Sequence, residues 1–282
     1  WADDVISRGE EFSTSNAFSS ANKSDLVRAY WYGATIYMVI ADMFDDFVVG
    51  SVKTEGTAPV GAANMGSLYD TAVSYIDKAL ALNSGLTSEL KATKARALFS
   101  KGIWTKTNPV NTASPLVSAT SAVALAKEAL AALGDDFSVN LITSGSAPDT
   151  VGGLDIAGEV NDRLEMRLSD AYIISTDAKR PDAYSDGDPS TTISLMDPID
   201  NIADPALFKL VANFTIAQLY PEYPIVSGRE MHLIIAEDAL SSGDNATFTS
   251  HINKIRALDG LSDYSGQISA QAMLEHSRRV NL

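Results

Sequence analysis

Two pairs of adjacent carboxylates, Asp45-Asp46 and Asp135-Asp136, are the residues whose type suits a hydrolytic chemistry. Glycoside cleavage needs one carboxyl group as acid and a second as base or nucleophile, facing one sugar across a set gap. Neighbouring residues point in different directions, so these pairs read as loop residues that follow helices. The three histidines, His232, His251 and His276, fall on three separate helical patterns without an HExxH or paired spacing, and define no metal motif. The chain contains neither a GxSxG elbow nor a GxxxxGK(S/T) loop, and it has no cysteine, which removes thiol nucleophiles, zinc-thiolate sites and disulfides. No catalytic residue, metal or cofactor is expected, and the chain reads as non-enzymatic.

Binding chemistry is better represented. Sugars present flat C–H faces to aromatic rings and hydroxyls to fixed polar groups. Tyr184, with Asp186 and Asp188 close by in DAYSDGDPS, offers both; Phe47 and Tyr172 are further candidate rings, and these five are the expected ligand-binding residues. Asp182, Asp186 and Asp188 also present oxygens of the kind calcium takes. Their spacing departs from the EF-hand pattern and its twelfth-position Glu is missing, so a solvated loop is the expectation. Trp31 and Trp104 lie within or at the end of apolar helices and are assigned to the core.

The elements that must carry these residues are helical. With 282 residues, 45% of them hydrophobic, the chain can bury a large core. A net charge of −15 repels phosphate backbones and anionic headgroups, so nucleic acid is not an expected partner. The most apolar run, 34–44, is too short to span a bilayer and contains Asp42. A first helix is predicted over 24–47, with Ala29, Tyr32, Ile36, Val39 and Met43 on one face and Gly33, Tyr37 and Ile40 beside it, so that nearly the whole helix is apolar and reads as central. Others follow over 68–82, from Leu90 to near Gly102, and over 115–133. Residues 138–219 are loop-rich, with helical candidates at 160–174 and 206–219 around a long loop at 176–204.

The stretch 227–282 predicts an αα-hairpin. Met231, Ile234 and Ile235 form one stripe, Gly243 stops that helix, and Phe248, Ile252, Ile255 and Leu258 form the next stripe until Gly260. Arg229, Glu230, Glu237 and Arg256 are expected to be structural, pairing to lock the hairpin. The span 68–102 is about the length of one tetratricopeptide-type unit. The fold class is therefore all-α, stacked tetratricopeptide-like helical hairpins with long irregular loops, as a single domain over 1–282 with 138–219 as an insert.

The ordered motifs Arg229-Glu230, Leu233-Ile-x-Ala-Glu237, Gly243-Asp244, Ile252-Asn-x-x-Arg256 and Gly260-Leu261 resemble the C-terminal signature of the SusD/RagB family, nutrient-binding lipoproteins of the bacterial outer membrane. RAYWYGATIYMVIADMFDDF, YDTAVSYIDKALAL, LKATKARALFSKGIW and AVALAKEALAAL are similar to the family's N-terminal helices. The resemblance covers most of 25–137 and 220–281 and fades over 138–219. It implies a cell-surface protein that captures a glycan or other nutrient and delivers it to a TonB-dependent, SusC-like outer-membrane transporter. It also implies a lipid anchor whose cysteine lies outside this chain, and a compact form truncated at both ends. The alternative class is a structural or protein-interaction helical-repeat protein of the cell surface, including one that self-assembles.

Overall fold

In the computed structural model, residues 1–50, 56–82, 85–113, 115–141, 158, 163, 169–174, 188–214 and 220–282 are described. Among them the chain forms α1 (Ala2–Ser13), α2 (Ser20–Met43), α3 (Ser67–Ala81), α4 (Thr87–Thr107), α5 (Thr120–Leu133), β1 (Ser138–Leu141), α6 (Pro189–Thr192), α7 (Pro205–Ala212), β2 (Tyr223–Ser227), α8 (Gly228–Ser241), α9 (Asn245–Leu258) and α10 (Ala270–Asn281). The class is all-α, and β1 pairing with β2 is the one sheet among the described residues. Contacts divide the chain into two compact units. One comprises Trp1–Phe137 with Val226–Asn245, the other Ser138–Ile225 with Ala246–Leu282.

In the first unit each helix packs on the next from α1 to α5, and α8 packs on α5 and α4. Polar pairs between neighbours give the directions. Asp3 accepts from Tyr37 and Glu10 from Tyr30; Asp42 accepts from Tyr69, while Lys78 reaches back to Glu10 and its ammonium lies over the Tyr30 ring. Lys94 pairs with Asp77 and Lys101 with Asp70. As one number rises its partner falls, so consecutive helices run antiparallel, the tetratricopeptide-like stack. Wholly buried alanines, among them Ala72, Ala79, Ala95, Ala126, Ala129 and Ala236, leave room for the close approach such stacking needs.

One element is added here and one expectation is corrected. Helix α1 was not foreseen, because only Ile6 of its residues is buried and its docking rests on Asp3 and Glu10 receiving tyrosine hydroxyls. Helix α2, expected to be central on nearly all sides, has one face in solvent instead: Ile36 is 48% and Met43 71% exposed, while Val27, Tyr30, Trp31, Ala34, Tyr37, Met38 and Ala41 are buried. A helix that is apolar all round gives its period no face to prefer. Trp31 is core as expected, its Nε1 donating to Thr93 Oγ1 at 2.9 Å.

Helix α8 buries Met231, Ile234 and Ile235 as predicted. Gly243, with φ of +80°, ends it in the left-handed conformation that glycine adopts most readily. The boundary between the two units falls just after this turn, so α8 belongs to the first and α9 to the second. The charged residues of α8 reach beyond the predicted hairpin for partners. Buried Glu237 accepts from the backbone N–H of Val117 at 2.9 Å, Glu230 lies 3.6 Å from Arg96, and Arg229 lies 3.4 Å from Asp136. Asp238 accepts from the N–H of Ala119, so α8 supplies the cap that α5 lacks at its own N-terminus.

In the second unit, Ile173, Ile193, Leu207, Val211 and Val280 form a buried cluster that joins α7 and α10. Asp204 caps α7 by accepting from the N–H groups of Ala206 and Leu207, with Pro205 at the first helical position. On α9, Asn253 exchanges hydrogen bonds with the backbone of Tyr264, and Phe248 meets the Tyr264 ring edge-on at 5.8 Å. These contacts tie the loop after α9 back onto the helix.

Candidate functional site

The antiparallel order of the first unit brings the C-terminal ends of α2 and α4 and the start of α3 to one end of the stack. A recess of about 510 Å³ opens there, lined by Asp42, Phe44 and Asp45 from the end of α2, Tyr69 from α3, and Trp104 and Asn108 from the end of α4. Helix α4 runs past Gly102 to Thr107, and this extra turn is what delivers Trp104 to the rim. The ring is half-buried rather than core, a correction to its sequence assignment.

The recess is held from behind. Gly66 sits against the Trp104 ring so closely that a Cβ there would lie 2.6 Å from two ring carbons. Gly66→Ala is therefore expected to push the indole out of place and to cost about 1–3 kcal/mol by overpacking, read by thermal unfolding together with a shift in tryptophan emission. Unchanged emission would show that the glycine does not set the ring. Tyr69 donates to Asp42 Oδ1 at 2.6 Å, and burial, with that carboxylate beside it, pushes the phenol well above its usual range and keeps it a neutral donor.

The adjacent acids Asp45 and Asp46 have different roles. Asp46 Oδ1 accepts from the N–H groups of Phe47 and Gly61 at 2.8 and 2.7 Å, and Phe47 O accepts from the N–H of Val60, so this residue clamps the loop that borders the recess. Asp45 lines the recess and, among the described residues, has no hydrogen-bond or ion-pair partner. Of the second pair, Asp135 lies 3.2 Å from buried His232 and Asp136 lies by Arg229. Both pairs follow helices, and each contains a carboxylate held by a structural contact.

The predicted ligand residues are dispersed. Phe47 adjoins the recess through Phe44, their ring centroids 5.1 Å apart. Tyr172 belongs to the second unit, where it packs partly buried against the cluster of Ile173 and Leu207, its carbonyl accepting from Ser194. Asp188, also in the second unit, caps α6 by accepting from Ser190 N–H at 2.8 Å, and the Ser190 side chain and amide hold its carboxyl below the usual range. Tyr184 and Asp186 lie outside the described residues, as does Asp182. Sequence reasoning missed Phe44, Tyr69 and Trp104 as a group, because the three rings come from different helices.

A second cluster also escaped the sequence. Asp197, Asp204 and His276 bring their donor atoms within 4.8 Å of one another in the second unit. Arg256 takes both oxygens of Asp197, at 2.7 and 3.0 Å, and also reaches Asp200 at 3.4 Å. His276 Nε2 lies 2.9 Å from Asp204 Oδ2, within hydrogen-bond distance. The guanidinium is already the cation of this set, which makes the cluster an ionic latch. The partners of Arg256 thus lie outside the predicted hairpin, in place of the pairing expected within it.

No protein-family model and no curated protein matches the chain. Its fold is similar to that of a SusD-like carbohydrate binding protein from Bacteroides vulgatus ATCC 8482, with a TM-score of 0.52 at 14% sequence identity, covering 98% of this chain and 64% of that one. It is likewise similar to a SusD-like protein from Bacteroides fragilis NCTC 9343, with a TM-score of 0.55 at 13% identity, covering 99% of this chain and 72% of that one. The chain thus spans about two thirds of these structures' lengths. The resemblance carried by its sequence motifs holds at the level of fold.

Proposed function

We propose that this protein captures glycans at the recess between α2, α3 and α4 and passes them to a TonB-dependent, SusC-like transporter of the outer membrane, without chemical conversion. The observation that carries the reading is the recess itself. Phe44, Tyr69 and Trp104 supply rings for the C–H faces of sugars, and Asp42, Asp45 and Asn108 supply polar groups for their hydroxyls, in a space large enough for a short oligosaccharide. The fold shared with a carbohydrate binding protein supports the same reading. No helix among the described residues is long and apolar enough to cross a membrane. Phe47 belongs to this site as an outer ring. The binding roles of Tyr172, Tyr184, Asp186 and Asp188 stand as a separate proposal for the second unit.

Trp104→Ala is expected to weaken oligosaccharide binding per folded molecule at least about tenfold, the effect of losing one stacked ring, and to lower the melting temperature as well, since the half-buried ring also packs on Gly66. Calorimetric titration of the purified chain against a glycan panel measures this, and undiminished affinity in the variant would remove the recess from the proposal.

A second reading, a helical stack that binds protein or self-assembles, is favoured by the exposed stripe of Tyr32, Ile36, Val39 and Met43 on α2. Light scattering separates the two: a concentration-dependent oligomer that Ile36→Lys disperses, without glycan binding, would favour assembly.

A further inference from the structure

The chain's negative charge reaches into the recess unevenly. No Lys, Arg or His lines it among the described residues, whereas two carboxylates, Asp42 and Asp45, do. Asp42 is partly spoken for: it accepts from Tyr69, and Arg96 lies 3.9 Å away. Arg96 in turn lies 3.6 Å from Glu230, so its one positive charge is divided between two acids. Asp45 is the contrasting member. Its neighbour Asp46 is consumed in clamping the loop, while Asp45 stands on the recess wall without a partner among the described residues. A carboxylate so placed can accept from the hydroxyls of a neutral sugar or from an ammonium group, and the rings beside it favour a cation as well. A ligand carboxylate or sulfate would meet it as a like charge, a repulsion that solvent and salt moderate but that acts at close range.

We infer that the recess selects neutral and amino-bearing sugars and rejects anionic ones, with Asp45 as the residue that sets this preference. The inference rests on the glycan-binding reading above and adds the ligand's charge class to it.

The test uses the purified chain on an array that carries neutral, amino-bearing, uronate-bearing and sulfated oligosaccharides of matched length, followed by titration of the members that bind. Neutral and amino-bearing members are expected to bind at least about tenfold more tightly than their uronate counterparts at low salt, where the Debye length exceeds 10 Å. Asp45→Asn, which keeps the shape and removes the charge, is expected to narrow that gap by about fivefold, and salt of about 1 M should narrow it similarly in the unaltered chain. Equal or tighter binding of the uronate or sulfated members, lost in Trp104→Ala, would leave glycan capture standing and overturn the charge selection. A gap that neither Asp45→Asn nor salt alters would overturn it as well, as would binding indifferent to Trp104→Ala, since the site would then lie elsewhere. If no member binds, both the glycan reading and this inference fall.

Discussion

Arg256→Met is expected to destabilise the second unit by about 3–5 kcal/mol, the cost of leaving a buried charge without its partner. The Asp197 side chain is wholly buried and Arg256 only 3% exposed, and the guanidinium occupies both carboxylate oxygens. The same side chain donates through Nε to the carbonyl of Ser262, so the variant would also release the loop after α9. Urea unfolding measures the loss, and a change below about 1 kcal/mol would show that water reaches the site freely. Adding Asp197→Leu to Arg256→Met should restore part of the stability by removing the unpaired charge, but not all of it, because the N–H groups of Ile199 and Asp200 then lose their acceptor.

The pH dependence of that loss has a definite sign. Burial alone would raise the Asp197 carboxyl, but the hydrogen bonds from Arg256 and from the N–H groups of Asp200 and Ile199 outweigh it and hold the group below its usual range. The latch therefore contributes fully above the unfolded carboxyl value of about 3.9 and is lost as the pH falls through the lower folded value. In Arg256→Met the largest lowering cause is gone and burial acts with less opposition, so the carboxyl shifts upward and is neutralised sooner on acidification. The difference between the two proteins should be greatest at neutral pH and shrink below about pH 4.

Much of the helical stack is legible from local pattern, and the exceptions share a cause. Helix α8 could be read because Met231, Ile234 and Ile235 recur within one helix and Gly243 marks its end. Helix α3 lies within a residue of its predicted bounds for the same reason. Helix α1 could not be read, since what docks it is Asp3 receiving hydroxyls from Tyr37 and Tyr75, partners 34 and 72 residues away. The Ile-Asn-x-x-Arg motif was visible, but its physical purpose was not. Asn253 holds the backbone at Tyr264, and Arg256 holds Asp197 in a segment where periodicity fails. The recess belongs to the same class. Its rings sit at the ends of three helices, where no period constrains a side chain, and only the antiparallel order of those helices brings them together. The face of α2 was misjudged because its exposed side is as apolar as its buried one.

Raising the pH above about 10 is expected to unfold the first unit in a single steep step. Tyr30, Tyr37 and Tyr69 are buried and donate to Glu10, Asp3 and Asp42, each at 2.6 Å, and half-buried Tyr75 donates to the second oxygen of Asp3. Burial first, and then the acceptor carboxylate, pushes all four phenols far above the ordinary tyrosine range. A group whose folded value is raised contributes stability that is complete below the unfolded value and is lost as the pH climbs beyond it. Each phenol that stays protonated only when folded removes about 1.4 kcal/mol for every pH unit above about 10. The three buried ones alone remove about 4 kcal/mol per unit, comparable within two units to the whole stability of a typical domain. Ultraviolet absorbance of tyrosinate, followed alongside helical circular dichroism, is the measurement, and these four should ionise only as the helices melt. Ionisation of every tyrosine while the helical signal persists would show that the hydroxyls are not held by their carboxylates. Tyr37→Phe separates this linkage from general alkaline damage: it removes one titrating group, so the fall in stability with pH should be shallower by about 1.4 kcal/mol per unit, whatever the lost hydrogen bond to Asp3 costs at neutral pH.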